Sequence, residues 1–452
     1  MNRIHTAKIG WLLGGILLVC LYVNGAIQQS RQVNTDRHRT DQSAYMAYAK
    51  ALAESNYTYV GDRNRMPLYP FLQSLLYEPG LSDEDFFVRG KRFNIALSVA
   101  LLIGLFFILQ KHLPIMAAAN LILMTAFTVF IFKAGFFQAE LLFYFLNFCC
   151  FLLMNKLLHR PKWQWGVLTG VMLGMAHLTK ASVLVGLVLF LAVAVLQGAY
   201  RLYRQKRSPD TDTPRTKKPL IMNLMSITCV AITFLATVGC YISNSKRVYG
   251  SYFYNVNSTF YMWYDSWEEA KQGTRAHGDR VGWPDMPAEL IPSPSKYLRE
   301  HNTQQIADRF LKGTSEIVKT AMGSYGYFRY FFVYLMFCLY VMIINHQLTR
   351  AFFRQYAFLF TFNLMYFAVY LLLYAWYAPI NSGNRFTLAQ FLPLMFGLSF
   401  VIFRLYAQQR RVPYEKGQRP FAKAFITVVA ILLIYDVYIV LSQKISTMYG
   451  GW

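Results

Sequence analysis

The sequence predicts an all-α polytopic membrane protein of about 11 transmembrane helices with two long extracytoplasmic loops. Three observations carry this reading. Hydrophobic residues make up 55% of the chain and charged residues only 15%. The apolar residues fall in unbroken runs of roughly 20, the length of one helical crossing of a bilayer. A backbone inside lipid must satisfy its hydrogen bonds within its own segment, so such runs are helices, whereas strands would be shorter and alternate. Finally, the basic residues cluster between particular runs, which gives the map an orientation.

The runs lie near residues 9–27, 93–110, 114–133, 138–156, 164–179, 181–199, 220–243, 328–346, 355–376, 386–405 and 424–443. The first follows Arg3 and Lys8 and lacks a small-x-small cleavage site, which fits a retained signal anchor. With the amino terminus in the cytoplasm, most of the formal charge of +23 falls in inner segments: 1–8, Lys111, 156–162, 201–218, 350–354 and 404–423. Their only acids are Asp210, Asp212 and Glu415. This is the positive-inside pattern, so the basic balance predicts contact with membrane lipids and no nucleic-acid partner.

Two outer segments, 28–92 and 244–327, are too long to be simple connections and are where function is expected. The first carries amphipathic stripes, Tyr45, Tyr48, Ala49, Leu52 and then Leu68, Phe71, Leu72, Leu75, Leu76, that suit helices lying on the membrane surface. The second, rich in Trp, Tyr and Pro, suits a small cap over a cleft. All six cysteines (Cys20, Cys149, Cys150, Cys229, Cys240, Cys338) sit in apolar runs and read as packing residues.

Chemistry is expected where charge meets these outer segments. Asp41, in Thr40-Asp41-Gln42-Ser43-Ala44-Tyr45, stands at the front of a surface helix, where it could equally cap free backbone N–H groups. Downstream, Arg63-Asn64-Arg65-Met66-Pro67-Leu68-Tyr69-Pro70 makes a rigid turn that carries cations. An acid, a tyrosine-bearing helix and an Arg-x-Pro-Leu-Tyr-Pro turn in the first outer loop resemble the GT-C glycosyltransferases. In pattern the protein O-mannosyltransferases and the lipid A aminoarabinose transferase are nearest. Further matches follow in order: Glu140 in Phe136-Phe137-Gln138-Ala139-Glu140, where the family keeps a second acid; Lys180 closing the glycine-containing helix that ends Thr179-Lys180; and Arg385 in Asn384-Arg385-Phe386 before Leu392-Pro393. Glu for Asp at 140 is a departure from the family pattern. Gly170 and Gly174 have the small-xxx-small spacing of close helix packing.

The resemblance implies a seven-helix GT-C catalytic module over 1–243, a cap over 244–327 and carboxy-terminal transmembrane helices over 328–452. It implies an inverting transfer of a hexose or pentose from a polyprenyl-phosphate sugar, outside the cytoplasm, to a saccharide, lipid or protein acceptor. Asp41 and Glu140 are then the candidate catalytic residues, Asp41 as the base that takes the acceptor's proton. Lys180, Arg385 and Arg65 are the candidate ligands of the donor phosphate. A divalent metal ion, if one takes part, would fall to Asp41 and Glu140. The matching pattern points to a bacterial inner membrane with a periplasmic active site.

Other features have structural readings. Asp83-Glu84-Asp85 spells DxD but follows Ser82 and reads as an acidic first helical turn. Asn56-Tyr57-Thr58 and Asn257-Ser258-Thr259 fit the N-glycosylation triplet. Asp436, within the last run, reads as a structural polar contact. An O-antigen ligase or polymerase would place its key residues in a late outer loop. A transporter or flippase would show ionisable residues at mid-membrane and internal repeats.

Overall fold

A computed structural model of the protein describes residues 2–58, 61–207, 218–380, 383–409 and 420–447. Much of the basic inner segments 201–218 and 404–423 lies outside the described residues. Among the described residues there are helices and turns but no strand. In chain order the helices are α1 (Asn2–Gln32), α2 (Gln42–Glu54), α3 (Leu68–Ser74), α4 (Asp83–Leu109), α5 (Ile115–Thr125), α6 (Ile131–Ala134), α7 (Glu140–His159), α8 (Trp163–His177), α9 (Val183–Arg207) and α10 (Lys218–Tyr249). The short α11 (Val256–Thr259), α12 (Trp267–Gln272) and α13 (Pro294–Glu300) lead to α14 (Thr303–Gly323), α15 (Tyr327–Ile344), α16 (His346–Gln355), α17 (Ala357–Tyr377), α18 (Arg385–Gln409) and α19 (Pro420–Ile439). A π-helical turn, Ala126–Phe130, joins α5 to α6 so that the two form one span.

Ten of the described helices are long and apolar enough to cross a membrane. The expected crossing at 164–179 is the exception. It forms α8, but with 15 residues it falls short of a full span. What α8 lacks in length it recovers in packing. Its Gly166, Gly170 and Gly174 lie so close to α10 that a Cβ on Gly170 would sit 1.9 Å from Thr233 Oγ1, and one on Gly174 2.6 Å from Thr237. Small residues let two helix backbones approach to this distance, so the glycine spacing read from the sequence is a packing seam.

The first outer segment folds as expected into short helices. Tyr45, Tyr48, Ala49 and Leu52 of α2 are buried, and Tyr45 meets Tyr69 edge to face at 5.3 Å. On α3 the buried residues are instead Tyr69, Pro70, Gln73 and Ser74. Phe71 and Leu75 of the predicted stripe point outward and are exposed, as side chains facing an apolar surface would be. The segment 244–327 has its own small core of Tyr249, Tyr254, Val256, Phe260, Tyr261, Ala270 and Ile291, joined by Ile380. Asp83-Glu84-Asp85 is the first turn of α4, capped by Ser82, whose Oγ accepts from Asp85 N at 3.1 Å. The six cysteines are all free thiols. Asn257 is committed within the fold, bonded to Asn64 and accepting from Tyr377 Oη at 2.9 Å.

Candidate active site

The site is assembled where the two outer segments meet the ends of α7, α8 and α18. Gln42 ties the first segment to the turn before α7: its Oε1 accepts from Phe137 N at 2.8 Å, and Gln138 Nε2 donates to Thr40 Oγ1 at 2.5 Å. These bonds set Asp41 beside Glu140. Thr40 holds a φ of +66°, a costly conformation for a β-branched residue, directly before Asp41. Asp62 Oδ1 accepts from the backbone of Asn64 and Arg65 and shapes the next turn, and Leu68 N donates to Leu178 O at 2.8 Å. That bond fastens Arg65 to the end of α8, two residues before Lys180. The cap closes over the same turn through Val256 N to Arg63 O at 2.9 Å, Asn255 to Asn64 O at 2.8 Å and an Arg63–Asp279 ion pair.

The side chains then meet as an ion network. Asp41 does not cap α2, so the capping reading is not what the fold uses. Its Oδ1 takes Arg65 Nη2 at 2.6 Å and its Oδ2 takes Arg385 Nη1 at 2.7 Å. Glu140, in the first turn of α7, takes Lys180 Nζ at 2.7 Å and lies 4.0 Å from Arg385 Nη1. Arg385 opens α18, and Tyr144 of α7 holds its carbonyl at 3.0 Å. All five residues singled out in the sequence are therefore neighbours, although Asp41 and Arg385 are 344 positions apart.

Accessibility separates the two acids. The Asp41 side chain is 30% exposed and lines a cavity of about 290 Å³ together with Arg65, Lys180 and Arg385, whereas Glu140 is 2% exposed and stands behind Lys180. Burial pushes the Asp41 carboxyl up, but Arg385 and Arg65 outweigh it and hold it well below the usual carboxylate range. Burial pulls the Lys180 ammonium below its ordinary value, against the opposing pull of Glu140.

Sequence reasoning missed Lys133. It is buried, donates to Asn384 Oδ1 at 3.3 Å next to Arg385, and is close enough to Glu140, Arg385 and Lys180 to feel their charges. A lysine inside an otherwise apolar run was the available signal. His177, at the end of α8, also lines the cavity.

A divalent ion does not fit this donor set as it stands. Both oxygens of Asp41 and one of Glu140 already hold cationic nitrogens, and among the described residues no group of three or more His, Cys, Asp and Glu side chains could hold a metal. Arg65, Arg385, Lys180 and Lys133 outnumber the two acids, which is a balance suited to an anion.

Comparison with known proteins follows this geometry. The family model of the dolichyl-phosphate-mannose-protein mannosyltransferases matches residues 66–209. Over that stretch, which includes Lys133, Glu140 and Lys180, the chain is similar to a family of membrane glycosyltransferases, and the resemblance to protein O-mannosyltransferases read from the sequence is borne out. Asp41, Arg65 and Arg385 fall outside the matched residues. Two solved structures of oligosaccharyltransferase from Archaeoglobus fulgidus also align, the first of them the archaeal enzyme AglB. One is in complex with an inhibitory peptide and a dolichol-phosphate, at 13% identity and a TM-score of 0.49. The other is tethered to an acceptor peptide, at 13% identity and a TM-score of 0.48. Each alignment covers 96% of this chain, which spans 56% of the length of the oligosaccharyltransferase chain. No curated protein matches the chain.

Proposed function

We propose that the protein transfers a sugar from a polyprenyl-phosphate donor to an acceptor hydroxyl, with inversion, at an extracytoplasmic site. The observation that carries this reading is the set Asp41, Arg65, Arg385 and Lys180 around one cavity: a reachable carboxylate among cations that outnumber it. The donor is a phosphodiester with one negative charge. As the acceptor oxygen bonds to the anomeric carbon, the carbon–oxygen bond to phosphate breaks and the polyprenyl phosphate leaves with the electron pair, gaining a second charge. Lys180, Arg385 and Arg65 stabilise that growing charge. The acceptor's proton passes to Asp41.

Held by the two arginines, Asp41 is a weak base, because they stabilise its ionised form. Donor phosphate competes for the same guanidinium groups, so binding weakens their hold on Asp41 and raises its basicity when an acceptor arrives. Glu140 is a positioning residue: it aims Lys180 and does not touch substrate. The cationic balance supports a reaction that runs without a divalent ion, so transfer is expected to survive chelation by EDTA. The cytoplasmic amino terminus remains part of this proposal, supported by the positive-inside pattern, and the bacterial inner membrane with it, supported by the resemblance to bacterial relatives.

The test is transfer by the purified full chain from a panel of radiolabelled polyprenyl-phosphate hexoses and pentoses to saccharide, lipid and peptide acceptors. Label moving from one donor to one acceptor class supports the reading and names both. Hydrolysis or transfer from none of them would overturn it.

A further inference from the structure

His177 is a buried polar group at the cavity that neither the fold nor the ion network accounts for. It is 2% exposed, lies between Phe234 and Phe253 at ring separations of 5.9 and 5.6 Å, and neither Nδ1 nor Nε2 has a hydrogen-bond partner in the protein. Buried polar side chains without partners are rare in native proteins. At a site walled by two phenylalanines, an apolar side chain would fill the same space without that cost. The imidazole also lines the cavity of Asp41 and Lys180. Its place is fixed by the glycine seam of α8 on α10, which holds the helix end that carries both His177 and Lys180.

We propose that His177 is a specificity-determining contact to a ring hydroxyl of the donor sugar. This rests on the function proposed above. Lys180, three residues on, faces the donor phosphate, and the two groups attached to that phosphate are the sugar and the isoprenoid. An isoprenoid offers no hydrogen bond, whereas a hydroxyl both donates and accepts, as a neutral imidazole does. Phe253, which lines the same cavity, offers an apolar ring to the C–H face of a sugar. Hydroxyl recognition at a buried polar group discriminates because an analogue without the hydroxyl leaves that group unpaired again.

The experiment compares the full-length wild type with His177→Phe and His177→Gln, using the accepted donor and its monodeoxy analogues. For the parent donor, His177→Phe is expected to lower kcat/KM about tenfold, with His177→Gln between the two. For one deoxy position the wild type should lose about tenfold and His177→Phe nothing further, the signature of a lost pairwise contact. Equal deoxy penalties in wild type and His177→Phe would overturn the proposal, even where both variants are less stable in detergent. So would coupling to acceptor analogues in place of donor analogues. If the wild type transfers from no polyprenyl-phosphate sugar, the functional reading fails first and this one with it; active wild type without coupling removes His177 alone.

Discussion

Of the carboxylates paired with arginine, Asp436 and Asp41 differ most usefully in what surrounds them. Asp436 of α19 is fully buried; its oxygens accept from Tyr325 at 2.9 Å, Tyr330 at 2.6 Å and Arg329 at 2.6 Å, and the guanidinium lies over both tyrosine rings. Asp41 is held by two arginines, yet it faces a cavity beside a third cation, and the Nε atoms of Arg65 and Arg385 and the Oε2 of Glu140 have no partner in the protein. At Asp436 both carboxylate oxygens are held and only Arg329 Nε lacks a partner, so this knot ties α15 to α19. The other keeps hydrogen-bonding capacity in reserve for a ligand. An ion pair in a membrane protein is thus read from what its neighbours leave unsatisfied, not from its presence.

Substitutions at the two knots should have opposite signatures. Arg385→Ala is expected to lower the transfer rate by roughly 10²- to 10³-fold, the range for removing one stabilising donor, while detergent-solubilised protein stays folded because Asp41 keeps Arg65. Asp436→Asn should do the reverse, costing about 2 kcal/mol of stability through the loss of charge-assisted hydrogen bonds, Arg329 itself being partly solvated, with kcat/KM of the folded fraction nearly unchanged. Thermal unfolding and initial rates on the same preparations separate these outcomes. A rate loss for Asp436→Asn without destabilisation would erase the distinction.

The pH dependence sharpens the Asp41 half. Because the arginines hold its folded value below the ordinary 3.8, Asp41 contributes stability above that value and loses it only as pH falls through the depressed one. The acid limb of kcat/KM, which reports the free enzyme, should therefore lie below the usual carboxylate range. The acid limb of kcat reports the donor complex and should lie higher, since phosphate draws the arginines away. Coincident limbs would contradict the exchange. The smallest effect is expected at Asp83, whose partners Lys50 and Arg37 are at the surface. There Asp83→Asn should cost at most about 1 kcal/mol and leave transfer intact, as an acid in a first helical turn does and a metal ligand does not.

Much of this was legible in the sequence because lipid imposes a simple grammar: long apolar runs, basic loops on one side, charged landmarks on the other. Asp41, Arg65, Glu140, Lys180 and Arg385 were each visible as a charge at the edge of a run, and they do converge. What sequence could not show was the pairing. Whether Asp41 caps α2 or meets Arg385 depends on bonds between Thr40, Gln42 and the turn before α7, which have no local pattern. At 164–179 the expected helix is present as α8, shorter than the apolar run suggested at 15 residues, and the glycine seam sets it against α10. Lys133 and His177 were hidden for another reason: within an apolar run a single polar residue looks like tolerated noise until its surroundings are known.

The most direct test of the central claim is Asp41→Asn, with transfer and donor binding measured side by side. If Asp41 is the base, transfer should fall by about 10²- to 10⁴-fold, while a polyprenyl-phosphate donor still binds as tightly as before or tighter, Arg65 and Arg385 having been released from a competing carboxylate. Full transfer activity in this variant would contradict the account, and so would loss of donor binding in proportion to loss of transfer.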